Sequence, residues 1–167
     1  KAAAEHFVMA YGNTYKLPYI IINSSNNYGP WQHSEKFIPL TISRIMQKKK
    51  IPVYGTGSQI RDWIYVKDSV EAIYKIIQEG QIQQRYCIGG DNEIRNIDLV
   101  RNILMKMNAD ESLIEYVNDR PGHDARYSMS IDTMKTEFDW SPRYSLSEGL
   151  DETIEWMKTH ENRIQLQ

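Results

Sequence analysis

The run Tyr19-Ile20-Ile21-Ile22 constrains this chain more than any other stretch. Four apolar residues without alternation read as a strand buried on both faces, the pattern of a parallel sheet covered by helices. Before it, residues 1 to about 14 carry Ala4, Phe7, Val8 and Tyr11 at helical spacing. Gly12 and Asn13 weaken the end of that helix, and Leu17-Pro18 closes it. After the run comes Asn23-Ser24-Ser25-Asn26-Asn27-Tyr28-Gly29-Pro30, read as a polar loop at the carboxyl end of the strand. Helix, buried strand and polar loop make half of a βαβ layer, and in open α/β sheets ligands sit at those carboxyl ends. The fold class is α/β, and the polar stretch is a candidate site.

Composition narrows the partners. The 167 residues are 41% hydrophobic and 25% charged, which suits a soluble globular protein of one domain, with room for part of another. A net charge of -2 provides no field for nucleic acid or an anionic membrane surface. No apolar run approaches the roughly 18 residues of a spanning helix. The single cysteine, Cys87, lies in the strand-like Tyr86-Cys87-Ile88 and reads as an inert core thiol in a reducing, cytoplasmic compartment. No metal-ligand cluster is expected.

Further elements follow in order. A helix is expected from Glu35 to Met46, with Pro39 tolerated in its first turn. Lys48-Lys49-Lys50 reads as a solvated charge run that meets the helix dipole. Ile51-Pro52-Val53-Tyr54 is strand-like, Gly55-Thr56-Gly57-Ser58 a hairpin-like turn, and Gln59 to Val66 a strand with Arg61 at its start. Asp68 is expected to cap the next helix in a capping box with Glu71, with Val70, Ile73, Tyr74 and Ile77 facing inward and Gly80 as its stop. A strand from Arg85 to Ile88 and a turn at Gly89-Gly90-Asp91-Asn92 precede a helix capped by Asn96. Ile131 to Phe138 and Leu146 to Met157 read as two more helices, the latter capped by Ser147.

One loop reads as neither core nor regular structure: Asp119-Arg120-Pro121-Gly122-His123-Asp124, followed by Ala125-Arg126-Tyr127. It is either a solvated turn or a place where arginines are aimed at an anion, since a planar guanidinium can bind two oxygens of a phosphate at once.

Together with that loop, Ser25-Asn26-Asn27-Tyr28-Gly29-Pro30, Glu35-Lys36-Phe37-Ile38-Pro39 and Arg61-Asp62-Trp63-Ile64-Tyr65-Val66-Lys67-Asp68, in this order and spacing, resemble the nucleotide-sugar 4,6-dehydratases of the extended short-chain dehydrogenase/reductases. The resemblance covers the whole chain. It implies the C-terminal part of an NAD-binding Rossmann-type fold, one helix and one parallel strand over residues 1–30. A smaller mixed α/β domain over residues 31–167 would mostly serve to bind the nucleotide sugar. Lys1 matches the lysine of a Tyr-x-x-x-Lys pair, catalytic and in contact with the nicotinamide ribose; Asn27 matches a second cofactor contact. Asn26 matches a substrate contact, Lys36 and Phe37 the pair beside the nucleotide, and Pro52, Val53 and Tyr54 the segment on which the base packs. Arg61, Asn96 and Arg120 match diphosphate ligands, with Asp119, Pro121, Gly122 and His123 completing the last loop.

The implied reaction turns a dTDP- or UDP-hexose into its 4-keto-6-deoxy form, with NAD reduced and regenerated in each turnover. The partner would be a nucleoside-diphosphate sugar, and the intact enzyme a homodimer using the helix that begins near Lys1. The glycine-rich NAD fingerprint, the tyrosine and the acid/base pair of the family have no match here, so the chain alone is expected to be inactive and to be the C-terminal part of a longer polypeptide. A 4-epimerase of the same superfamily and a non-catalytic nucleotide-sugar binding module are the alternative readings. Arg126 matches no role, and His6 and His33 read as structural or exposed.

Overall fold

The computed structural model describes residues 1–160; residues 161–167 of the expected second domain lie outside the described residues. Helix α1 (Ala2–Tyr15) leads into β1 (Ile21–Ser24), which pairs in parallel with β5 (Arg85–Ile88). The strand thus begins two residues later than the apolar run suggested. Tyr19 is instead drawn onto α1, where a Cβ on the buried Gly12 would fall 2.1 Å from its ring. Gly12 is therefore a seat for an aromatic ring inside the helix rather than a weak end, and α1 stops at Lys16 in the left-handed region. The stripe of Phe7, Val8 and Tyr11 is exposed.

The polar stretch after β1 is not a loop throughout. Asn26–Tyr28 form β2, parallel to β4 (Ile60–Tyr65), so the chain passes from one sheet to another at the buried Ser25. Turn-favouring residues take strand geometry here because pairing with β4 satisfies their backbone groups and Tyr28 buries its ring. β4 also pairs antiparallel with β6 (Glu93–Arg95) and parallel with β8 (Arg126–Tyr127). A third sheet joins β3 (Ile51–Tyr54) in parallel to β7 (Ile114–Val117). Gly55 to Ser58 consequently form no hairpin: the strands on either side belong to different sheets, and a tight turn with Gly57 N–H donating to Tyr54 O at 3.0 Å carries the chain between them.

Two apolar cores hold these layers. One gathers α2 (Phe37–Met46), α4 (Asn96–Lys106) and α6 (Leu146–Thr159) around the Trp63 and Tyr65 face of β4. The other packs α3 (Val66–Glu79) and α5 (Asp132–Phe138) on β1, β5 and the Ile64 face of β4. Pro39 lies in the first turn of α2 and Lys48 to Lys50 are exposed, both as expected.

Three expected caps differ. Asp68 is not the cap of α3. It lies within the first turn, 1% exposed, and its two oxygens accept Arg143 N–H and Tyr144 N–H, each at 3.1 Å, tying α3 to the segment before α6. Asn96 is the first residue of α4 and makes no capping bond. Ser145, not Ser147, caps α6 in a complete capping box with Glu148, while Ser147 accepts a bond from Lys106. The inward face of α3 also differs: Asp68, Ser69, Ala72 and Ile76 are buried, whereas Val70, Tyr74 and Ile77 are exposed and Ile73 is half-buried against the second core.

Candidate functional site

Strand alternation sets the site. On β4, Asp62 and Ile64 point to one face, and Arg61, Trp63 and Tyr65 to the other. Asp62 is fully buried and accepts Gly90 N–H at 3.1 Å and Asn92 N–H at 3.0 Å, fixing β4 to the turn after β5. That turn runs so close that a Cβ on Gly90 would lie 1.7 Å from Trp63 O. The opposite face of the strand is thereby held rigidly against a cleft of about 290 Å³ lined by Arg61 and Trp63.

Arg61 is the most informative residue in it. It is only 7% exposed, and its guanidinium donates to Ile60 O at 2.7 Å and Asp124 O at 2.8 Å. Among the described residues no carboxylate pairs with it. A cation removed from water and held by neutral carbonyls carries an uncompensated desolvation cost, and its remaining N–H groups are available to an anion.

The other walls come from separate elements. Asn26 sits opposite Trp63 in the β2–β4 register. Glu35, Lys36, Phe37 and Leu40 enter from the start of α2, Pro52, Val53 and Tyr54 from β3, and Asn96 from the start of α4. Since Asn96 does not cap its helix, its amide is left to the cleft, and its buried Oδ1 has no partner among the described residues. Lys36 pairs with Glu35 at 3.1 Å, and this hydrogen bond holds the Glu35 carboxyl below the usual carboxylate range.

The Asp119 to Asp124 loop contributes Arg120 and His123. Asp119 organises it. Its carboxylate bonds His123 Nδ1 at 2.7 Å, accepts Gln59 Nε2 at 2.8 Å and accepts Arg120 N–H at 2.8 Å. The His123 bond chiefly, with the Arg120 N–H and Gln59 amide adding to it, holds the Asp119 carboxyl below the usual carboxylate range. Pro121-Gly122 forms a turn, with Gly122 at φ 67, a conformation L side chains rarely adopt. His123 and Tyr54 meet in a T-shaped contact, ring centroids 6.2 Å apart and planes at 87°, and Tyr54 is 46% exposed. The guanidinium of Arg120 has no ion-pair partner among the described residues.

Of the expected site residues, Asn26, Lys36, Phe37, Pro52, Val53, Tyr54, Arg61, Asn96, Arg120 and His123 line the one cleft. Asp119, Pro121 and Gly122 shape the loop without lining it. Asn27 points away, its amide donating to Ser24 Oγ at 2.7 Å and Ser25 O at 3.1 Å. Lys1 stands exposed at the head of α1, outside the cleft. Three lining residues escaped the residue-level reading: Glu35, Leu40 and Trp63. Trp63 was legible from the period-two alternation that puts it on the face of Arg61. Arg126, left without a role, forms a two-point ion pair with Glu93 that braces β8 against β6. A second depression, of about 280 Å³ near Lys135 and Arg143, offers no comparable cation, because those side chains pair with Asp91 and Glu71.

Comparisons with known proteins find relatives over nearly the whole chain. The family model described as GDP-mannose 4,6 dehydratase matches residues 1–153. A probable dTDP-glucose 4,6-dehydratase of Sinorhizobium fredii is 46% identical over 163 residues, covering 93% of this chain and 47% of its own. The crystal structure of a dTDP-glucose 4,6-dehydratase from Bacillus anthracis in complex with NAD matches with a TM-score of 0.94 at 42% identity, over 99% of this chain and 53% of that one. A dTDP-glucose 4,6-dehydratase from Streptomyces venezuelae with NAD bound gives a TM-score of 0.95 at 34% identity, over 98% of this chain and 51% of that one. The chain spans about half the length of the relatives it matches.

Proposed function

This chain belongs to the GDP-mannose 4,6-dehydratase family, and from that premise we propose that the protein containing it dehydrates a nucleoside-diphosphate hexose to the 4-keto-6-deoxy sugar. The relatives reported above are named for dTDP-glucose, which favours a dTDP-hexose over a UDP-hexose as substrate. The observation that carries the reading is Arg61, a nearly buried guanidinium with carbonyl partners only, facing a cleft. An anionic diphosphate supplies the charge this position lacks.

In this reading Arg61 and Arg120 grip the diphosphate from two sides of the cleft, and the Asn96 amide adds a directional donor without charge. Tyr54 offers a ring face to the pyrimidine, with Pro52 and Val53 beneath it. Asn26 and Lys36 flank the ligand further along the cleft. Asp119 is a positioning residue: its oxygens hold His123 and Gln59, and a carboxylate turned away from the ligand spares the diphosphate a like charge. Tight placement of this kind lowers the entropy cost of the reaction that follows.

NAD, when bound, supplies the acceptor for the hydride taken from the sugar and returns it later. The residues present fit one edge of that cofactor. Ser25, at the carboxyl end of β1, buries a hydroxyl with no partner among the described residues, next to Asn27. Lys1 is exposed and free to meet a cofactor from the head of α1. Residues 1–30 belong in this reading with the NAD-binding part and residues from 31 onward mostly with the nucleotide-sugar part, β5 and α3 returning to pack on β1. The exposed Phe7, Val8 and Tyr11 of α1 are the face through which two copies associate as a homodimer. No described helix is long and apolar enough to cross a membrane, and a cytoplasmic location suits the free Cys87.

The test is turnover of dTDP-glucose by the full-length protein with NAD, read by mass spectrometry of the nucleotide sugar. Loss of one water is the expected product change. A 4-epimer of unchanged mass, or no conversion, sinks the dehydratase assignment.

A further inference from the structure

The cleft has apolar surface that neither core claims. In α2, Ile38, Ile42 and Ile45 are buried and belong to the first core. Leu40 lies on another side of that helix, three residues after Phe37 and four after Lys36, so it shares their face. It is half-buried, is not among the residues packed on either core, and lines the cleft. On β3 the alternation gives a similar division. Ile51 and Val53 are each 1% exposed and belong to the core, while Pro52 and Tyr54 share the opposite face and line the cleft without joining it.

These two apolar pieces meet a pyrimidine differently. A base laid on the Pro52 and Tyr54 face presents its ring plane, and thymine and uracil stack alike on such a surface. What separates the two bases is the 5-methyl group, which lies in the ring plane at its edge. An edge substituent is met by a side chain from another element, and α2 brings Phe37 and Leu40 to the cleft as its apolar side chains. The Phe37 ring is already stacked with Trp63, centroids 6.2 Å apart and planes at 21°, and packs on the first core. Leu40 has no such engagement. Its branched apolar end favours a methyl over the hydrogen that uracil has there, because the contact removes the methyl from water.

We propose that Leu40 is a specificity-determining residue: it packs on the 5-methyl of a thymine base held against Pro52 and Tyr54, and so sets the preference for a thymine over a uracil nucleotide. This rests on the reading of the cleft as a nucleoside-diphosphate sugar site. The competing role for Leu40 is a passive wall that touches either base equally.

The test compares the full-length protein with its Leu40→Ala variant by calorimetry, using dTDP and dUDP. These two nucleotides share the deoxyribose and differ only in the 5-methyl, whereas UDP differs in the 2′-hydroxyl as well. Wild-type protein should bind dTDP at least about threefold more tightly than dUDP, as expected for one methyl leaving water. In the variant that ratio should fall to less than about half its wild-type value. A smaller preference in the wild type, or a variant ratio that stays above that mark, overturns the proposal; equal weakening of both nucleotides is one such result and leaves Leu40 a passive wall. Should Leu40→Ala not fold, Leu40→Met, which nearly conserves volume, identifies the Leu40 methyl resonances of the methyl-labelled wild type by their absence. A cross-peak between those resonances and the thymine methyl of bound dTDP is then expected, and its absence overturns the assignment. Wild-type protein that binds neither nucleotide overturns the cleft reading itself, whereas normal wild-type binding with an unchanged variant ratio overturns only the role of Leu40.

Discussion

Replacing Arg61 with methionine separates a ligand-binding cation from a structural one, because the two roles predict opposite patterns of stability and affinity. In the ligand-free protein the guanidinium makes two bonds to backbone carbonyls and no ion pair among the described residues. Hydrogen bonds to a charged group are each worth about 1.5–3 kcal/mol, while withdrawing a cation from water costs several kcal/mol. These terms nearly cancel, and methionine fills much of the same volume, so Arg61→Met should change ligand-free stability by no more than about 1 kcal/mol. Affinity for dTDP behaves differently. Losing a charged donor to the diphosphate at a buried position should cost about 3 kcal/mol, or more than about 100-fold in Kd.

Denaturant unfolding with and without dTDP reads both effects in the full-length protein. At a dTDP concentration of about 100 times the wild-type Kd, the ligand adds about 2.7 kcal/mol to wild-type stability; a variant weakened about 100-fold gains only about 0.4 kcal/mol. The reasoning is refuted if ligand-free stability drops by the roughly 3–5 kcal/mol typical of breaking a buried pair while dTDP still stabilises the variant fully.

Other perturbations discriminate among the remaining parts of the site. Arg120→Ala should weaken dTDP by about 10- to 100-fold, with less salt dependence than wild type in calorimetry, and leave the melting temperature nearly unchanged, since Arg120 is exposed. Asp119→Ala should weaken dTDP while Asp119→Asn recovers most of the loss, because Gln59 can turn its unpartnered Oε1 toward the new amide; equal losses in both variants would contradict a positioning role. Glu152 accepts from Lys67 at 2.6 Å and Tyr65 at 2.7 Å, and these bonds hold its carboxyl below the usual range. Its stabilising contribution is therefore present above the ordinary carboxylate pKa of about 4.3 and lost as pH falls through the lowered folded value. The melting temperature of Glu152→Gln should thus lie below wild type at pH 7 and converge with it in acid, and a gap that persists into acid would refute the assignment.

Much of the fold is legible in the residues, and the exceptions have physical causes. The boundaries of β3 and β5 and the end of α2 at Met46 follow local signals, whereas α2 begins at Phe37, two residues after the expected Glu35, with Pro39 in its first turn. The face of α3 follows no such signal. Val70, Tyr74 and Ile77 form an apolar stripe at helical spacing, yet the buried residues are Asp68, Ser69, Ala72 and Ile76. An apolar stripe records suitability for burial without saying against what, and the buried Asp68 is explained only by two N–H groups 75 and 76 residues away in sequence. Long-range pairing likewise decides that Gly55 to Ser58 join two sheets, and that the Asn26-Asn27-Tyr28 stretch is a strand.

At the site, the residues that gather in the cleft were identified by a family resemblance rather than by periodicity. Of the three lining residues given no role beforehand, Glu35, Leu40 and Trp63, the last sits on β4 by simple alternation with Arg61. The division of labour inside the loop was not legible either: Asp119 turns inward to His123 and Gln59, while Arg120 remains outward, and both are equally charged letters in the sequence.

The account stands most directly on calorimetric titration of the full-length protein with dTDP and, separately, with inorganic pyrophosphate. It predicts saturable binding of dTDP at one site per chain, and binding of pyrophosphate that is at least about tenfold weaker, because the ring face of Tyr54 and the wall of Pro52 and Val53 are left without a base to pack against. Pyrophosphate bound as tightly as dTDP, or dTDP that evokes no saturable heat, would contradict the claim that this cleft grips a nucleoside diphosphate.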